Sequence, residues 1–111
     1  MEISIENVGG ATVVSPQGRL DFAATTEFQE KLQGAIAGGD NPPGAVIVDC
    51  AGLSYLSSAG LRAFLIVARA AQSGGIPFLA CSLQKAVREV FDVSGFSQLI
   101  VAHPDRAAAL A

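Results

Sequence analysis

The chain has 111 residues, of which 50% are apolar and 15% charged, with a formal net charge of -3. A chain of this size buries roughly two-thirds of its unfolded surface, so it can hold one core without metal or disulfide, and its apolar content excludes intrinsic disorder. Seven Lys and Arg against ten Asp and Glu argue against the basic face of a nucleic-acid binder.

Residues 2–6 read Glu-Ile-Ser-Ile-Glu, the period-2 alternation of a half-buried strand. Asn7, Gly9 and Gly10 supply a turn, and 11–15 gives a second strand, so the two predict an antiparallel hairpin. Pro16 and Gly18 are expected to end the sheet there. A helix begins just after Asp21, with Phe28, Leu32 and Ile36 as its apolar stripe. Gly38-Gly39 stops it, and Asp40-Asn41-Pro42-Pro43-Gly44 is a loop by composition. The nearly continuous apolar run 45–50 predicts a strand covered on both faces.

A second helix is expected over about 59–73, with Leu61, Phe64, Leu65, Ala68 and Ala71 or Gln72 inward. Residues 76–81 read as another buried strand. Ser82 is expected to cap a third helix with Val87, Val90 and Phe91 inward, and Gly95 ends it. Residues 99–102 form a last strand, and Pro104 suits the opening of a terminal helix over 105–110. The predicted order is β-β-α-β-α-β-α-β-α. That order predicts a single α/β domain over 1–111, with a mixed sheet of four or five strands and about four helices.

Cys50 and Cys81 each stand in an apolar run with no Cys or His close by, which predicts two buried thiols in a reducing compartment and no metal site. The start Met1-Glu2-Ile3-Ser4 lacks the basic and apolar blocks of a signal peptide. The apolar stretch 61–71 carries Arg62 and Arg69 and is far short of the roughly 20 residues of a membrane span. These features predict a cytoplasmic protein without membrane insertion.

The informative turn is 49–61, where a buried strand leads to a helix that opens on Ser57 and Ser58. Either serine can cap the helix, a contribution of about 1 kcal/mol relative to Ala. Gly60 is a poor helix former in a first turn, and its small size suits the close approach of a partner or phosphate. A hydrolase triad would need a base and an orienting acid, yet His103 is the one imidazole and no Gly-x-Ser-x-Gly elbow exists, so no catalytic residue is expected. Asp49 at a strand end suits a phospho-accepting aspartate, but the acidic pair and lysine such a site needs are missing. The pairs Gly9-Gly10, Gly38-Gly39 and Gly74-Gly75 precede no Lys-Ser/Thr, so no phosphate loop and no cofactor are predicted.

Leu56-Ser57-Ser58-Ala59-Gly60-Leu61-Arg62, preceded by Val46-Ile47-Val48-Asp49, resembles the signature turn of STAS domains. Within that group it is most similar to the anti-sigma factor antagonists. Gly18-Arg19-Leu20-Asp21 is similar to the family's earlier Gly-x-Leu-Asp motif. The resemblance implies a module that, unphosphorylated, binds an anti-sigma factor that is also a serine kinase. Phosphorylation releases it, and a phosphatase restores it.

Alignment on Gly60 implies Ser58 as the acceptor, with Ser57 a second hydroxyl beside it. Many relatives have Asp where Ser57 stands and Ser or Thr where Ala59 stands. The resemblance implies a partner surface of Asp21, Ser57, Ser58, Ala59, Gly60 and Arg62. It also leaves open a weak nucleotide contact. The alternative within the family is a STAS subunit of a lipid-transport or other regulatory complex.

Overall fold

The structure, a computed structural model, describes residues 1–38 and 41–111. Gly39 of the expected helix stop and Asp40 of the expected loop lie outside the described residues. Strand β1 (Glu2–Val8) pairs antiparallel with β2 (Ala11–Leu20), as the alternation and glycine turn predict. β3 (Ala45–Asp49), β5 (Phe78–Cys81) and β6 (Val101–His103) then add in parallel, giving the order β1-β2-β3-β5-β6.

A short strand absent from the predicted order, β4 (Leu53–Leu56), pairs in parallel with the far end of β2. The sheet is therefore mixed and six-stranded, one strand more than the upper expectation. β4 escapes a pattern search because it is four residues long and only its end leucines are buried.

β2 also runs further than expected. Pro16 stays in the strand opposite Ile3, beyond the last β3 pair, Val14 with Val48, where one flank is open and a missing N–H is tolerated. Gly18 has φ +107 and lies where the register with β4 shifts. A left-handed glycine is what such a bulge needs, and it lets one strand serve β3 with its first half and β4 with its second.

Helices α1 (Thr25–Ala37), α2 (Ser58–Ser73) and α3 (Lys85–Ser94) cover one face of the sheet. Phe28, Leu32 and Ile36 are the buried positions of α1, as their spacing predicts. On α2 the buried stripe is rotated from the expected one: Gly60, Ala63, Phe64, Val67, Ala68 and Ala71 point inward, whereas Leu61 and Leu65 are half-buried and Gln72 is exposed. Four of those inward residues are Gly or Ala, which lets the helix backbone approach its neighbours closely. Phe64 anchors it, with ring centroids 5.0 Å from Phe28 and 5.5 Å from Phe91. Edge-to-face and tilted contacts of this kind add to the area burial of each ring.

The opposite face is covered by the short α4 (Arg106–Leu110), which packs Ala109 on Val13, Ile47 and Cys81. Asp105 caps it by accepting from the Ala108 N–H at 2.8 Å. Ser82 does not cap α3, contrary to expectation. Its backbone is left-handed at φ 59, and its N–H donates to the His103 carbonyl at 3.1 Å, which ties it to the end of β6 just past β5. Gln84 is the residue before α3, and it donates its side-chain amide to the Ala51 carbonyl at 2.8 Å.

Cys50 lies in the core under the three helices and Cys81 in the one under α4. Both are free and buried, as expected. Burial pushes the Cys50 thiol well up, and the nearby Cys81 and Asp49 add to the rise. Burial raises Cys81 as well. No helix among the described residues is long and apolar enough to cross a membrane.

Candidate functional site

The serine turn and the Gly-x-Leu-Asp turn, 37 residues apart in sequence, are joined by hydrogen bonds. Parallel pairing of Leu20 with Leu56 brings them side by side. The Ser57 N–H donates to the Leu20 carbonyl at 3.0 Å, and the Ser57 hydroxyl donates to the same oxygen at 2.9 Å. The Ser57 oxygen in turn accepts from the Gly60 N–H at 3.1 Å, with Ser57 in extended backbone. That is an N-cap, so of the two serines Ser57 caps α2.

Ser58 is left as the first helical residue. It is exposed, and the bonds that employ Ser57 do not involve it. At a helix start the N–H groups of Ser58 and Ala59 have no intrahelical acceptor, and the helix dipole presents positive potential there.

Gly60 does a different job from the one its size suggests. It is buried, and a Cβ there would lie 2.8 Å from Leu20 Cγ and 2.9 Å from Leu56 Cδ1. The glycine lets α2 sit directly on the two leucines that close the turns, so it supports the exposed surface from beneath.

Asp21 is exposed and caps a 3-10 turn, Phe22–Ala24, accepting from the Ala24 N–H at 3.2 Å through its carboxylate. Its carbonyl accepts from the Thr25 hydroxyl at 2.9 Å. The helix expected just after Asp21 is thus preceded by a 3-10 turn, and Asp21 caps that turn rather than α1. Arg62 is exposed four residues past Ser58, the spacing that places two side chains on one helix face.

The sequence profile of the STAS domain family matches residues 2–109. The chain is a STAS domain. It is 31% identical to BtrV of Bordetella bronchiseptica, assigned as an anti-sigma factor antagonist, over all of this chain and 93% of that protein. Its fold matches the crystal structure of an anti-sigma factor antagonist from Mycobacterium paratuberculosis with a TM-score of 0.88 at 20% identity, covering 98% and 90% of the two chains. It also matches the phosphorylated form of the Bacillus cell fate determinant SpoIIAA, with a TM-score of 0.75 at 22% identity, covering 98% and 96%.

In this STAS domain the fold brings Asp21, Ser57, Ser58, Ala59 and Arg62 to one region, with Gly60 beneath it. Two neighbouring features have no counterpart among the site residues expected from the sequence. The Arg19 guanidinium stacks 4.1 Å above the Tyr55 ring, the two being paired across β2 and β4. Phe22 projects from the 3-10 turn with 84% of its surface exposed. A signal for Phe22 did exist, since the stripe of Phe28, Leu32 and Ile36 extrapolates back to Ala24, leaving Phe22 off the inward face.

Asp49 and His103 lie elsewhere. Asp49 accepts from the Ala51 N–H at 3.1 Å and from Arg106 Nε at 3.0 Å, so its carboxylate is engaged in structure. Arg106 also donates to Glu6 at 2.7 Å and to the Ser15 hydroxyl at 3.2 Å, and the carboxylates of Glu6 and Asp49 push its guanidinium pKa further up. His103 lies in β6 at the sheet edge, separated from β2 by β3 and β5.

Proposed function

We propose that this STAS domain is an anti-sigma factor antagonist switched by phosphorylation of Ser58. Unmodified, it binds an anti-sigma factor that is also a serine kinase. That kinase transfers a phosphoryl group from ATP to the Ser58 hydroxyl, and the phosphorylated form is released. A phosphatase returns it to the binding state. The observation that carries this reading is the division of labour between the serines: Ser57 is committed to capping and clamping, and Ser58 is exposed, its hydroxyl making no hydrogen bond among the described residues.

The physics of the switch follows from the position of Ser58. Phosphorylation adds about 1.5 to 2 negative charges and three acceptor oxygens. At a helix N-terminus that charge meets free N–H groups and the positive end of the dipole. Arg62, four residues on, adds an opposite charge on the same face. The fold therefore tolerates the phosphate. The contact surface does not, because the group adds bulk and repels acidic groups of a partner, and the net charge of -3 reinforces the repulsion.

Modification of Ser57 is disfavoured on the same grounds. A phosphate there would replace the proton that Ser57 donates to Leu20 and would break the clamp between the two turns. The binding face then consists of Asp21, Ser58, Ala59 and Arg62, with Ser57 and Gly60 holding it in shape.

Incubation with the serine kinases of the source genome and ATP, followed by mapping of the modified residue, tests the assignment. Label on Ser58 that disappears in Ser58→Ala supports it. Label that persists in Ser58→Ala, or that maps to Ser57, contradicts it.

A further inference from the structure

We infer that Phe22 is the apolar anchor of the contact with the anti-sigma factor, a role that rests on the proposed function. Of the six phenylalanines, Phe28, Phe64, Phe91 and Phe96 are buried in the core and Phe78 packs against it. Phe22 is the exception, at 84% exposed. No packing need of the fold holds a ring there, and a ring in water is unfavourable in proportion to its apolar area.

The mounting of the ring is rigid. On one side, Leu20 is fully buried and its carbonyl accepts two hydrogen bonds from Ser57. On the other, the Asp21 carboxylate and carbonyl tie down Ala24 and Thr25. Phe22 is thus presented from a closed turn with little backbone freedom left to lose. Large rigid aromatics on preorganised backbone are the usual residues that dominate protein–protein affinity.

Its position couples it to the switch. Phe22 follows two residues after Leu20, whose carbonyl is bonded to the cap of the helix that Ser58 begins, and its 3-10 turn touches that helix, which puts Phe22 and Ser58 within reach of one partner. The partner this arrangement fits is an anti-sigma factor with an apolar pocket for one aromatic ring, rimmed by groups that a phosphate at Ser58 would repel. In this division Phe22 supplies affinity and Ser58 supplies control.

Calorimetric titration of each purified anti-sigma factor of the source genome with wild type, Phe22→Ala, Phe22→Leu and Ser58→Glu tests this. Thermal melts and sedimentation velocity of each variant accompany it. The expected result for Phe22→Ala is a loss of affinity of about thirtyfold or more, the change that marks a dominant interface residue. Its melting point should be unchanged, and Phe22→Leu should recover most of the binding.

Binding of Phe22→Ala within about threefold of wild type, while Ser58→Glu is released, overturns the anchor and leaves the switch standing. A wild-type dimer that Phe22→Ala dissolves would assign the ring to a second copy of this chain and would also overturn it. If the wild type binds none of the anti-sigma factors, the anchor and the proposed function fail together.

Discussion

The Ser57 hydroxyl donates to the Leu20 carbonyl at 2.9 Å while its oxygen accepts from the Gly60 N–H at 3.1 Å. One side chain therefore caps α2 and clamps it to the turn that leads into α1. Loss of that hydroxyl in Ser57→Ala should cost about 1 to 2 kcal/mol, a cap plus a hydrogen bond. Ser58→Ala, at an exposed position next to it, should stay within about 0.5 kcal/mol of wild type. Urea denaturation of the two variants measures the contrast. Equal losses would mean that the capping role is shared.

Gly60→Ala sets helix propensity against packing. Alanine is the better helix former by about 1 kcal/mol. Its Cβ, however, would lie 2.8 Å from Leu20 Cγ, 2.9 Å from Leu56 Cδ1 and 3.0 Å from Leu20 Cδ2. Leu20 is fully buried and has no room to retreat. Overpacking should win, with a net loss of about 1 to 2 kcal/mol. A stabilised Gly60→Ala protein, read from its melting temperature, would show that the leucines yield.

Arg106 links three strands to α4 through Glu6, Ser15 and Asp49. Its side chain is 35% exposed, so solvent screens part of each pair. Arg106→Ala should therefore cost only about 1 to 2 kcal/mol, and Arg106→Lys should recover part of it because an ammonium cannot reproduce the fork. Hydrogen exchange should quicken first in α4 and β6. Exchange that quickens uniformly would place the loss in global stability alone.

How much of this was legible in the sequence depends on the range of the interaction. The hairpin, the stripe of Phe28, Leu32 and Ile36, and the order of the long elements are local patterns, and they read correctly. β4 was not legible, because its four residues show no alternation until β2 is beside them. The continuation of β2 through Pro16 and Gly18 depends on which flank is open, a tertiary fact. At the site, two adjacent serines offer equivalent hydroxyls in sequence. Only the Leu20 carbonyl, brought in by the pairing of β2 with β4, separates their roles. Gly60 was legible as a position that needs a small residue, while the reason for it, two leucines beneath, was not.

The buried thiols make a prediction about pH. Burial raises the Cys50 thiol above its ordinary value of 9.0, so the folded state holds the proton more tightly than the unfolded chain does. The associated stability is present below that ordinary value and is lost as pH rises past it. The urea midpoint should fall between pH 8 and pH 10, estimated as about one unit on either side of that value, and fall less in Cys50→Ala. At neutral pH a thiol reagent should modify neither cysteine until the protein unfolds. Rapid modification of the native protein would contradict the burial of both.

In the proposed switch a phosphate on Ser58 blocks an interface without refolding the domain. The most direct measurement is the affinity of one anti-sigma factor for stoichiometrically Ser58-phosphorylated and unmodified protein, taken beside amide NMR spectra of both forms. Binding should weaken by at least about 100-fold on phosphorylation, with shifts confined to the turn and the first helical turn of α2. Undiminished binding by the phosphorylated form, or a loss accompanied by shifts throughout the sheet, would contradict it.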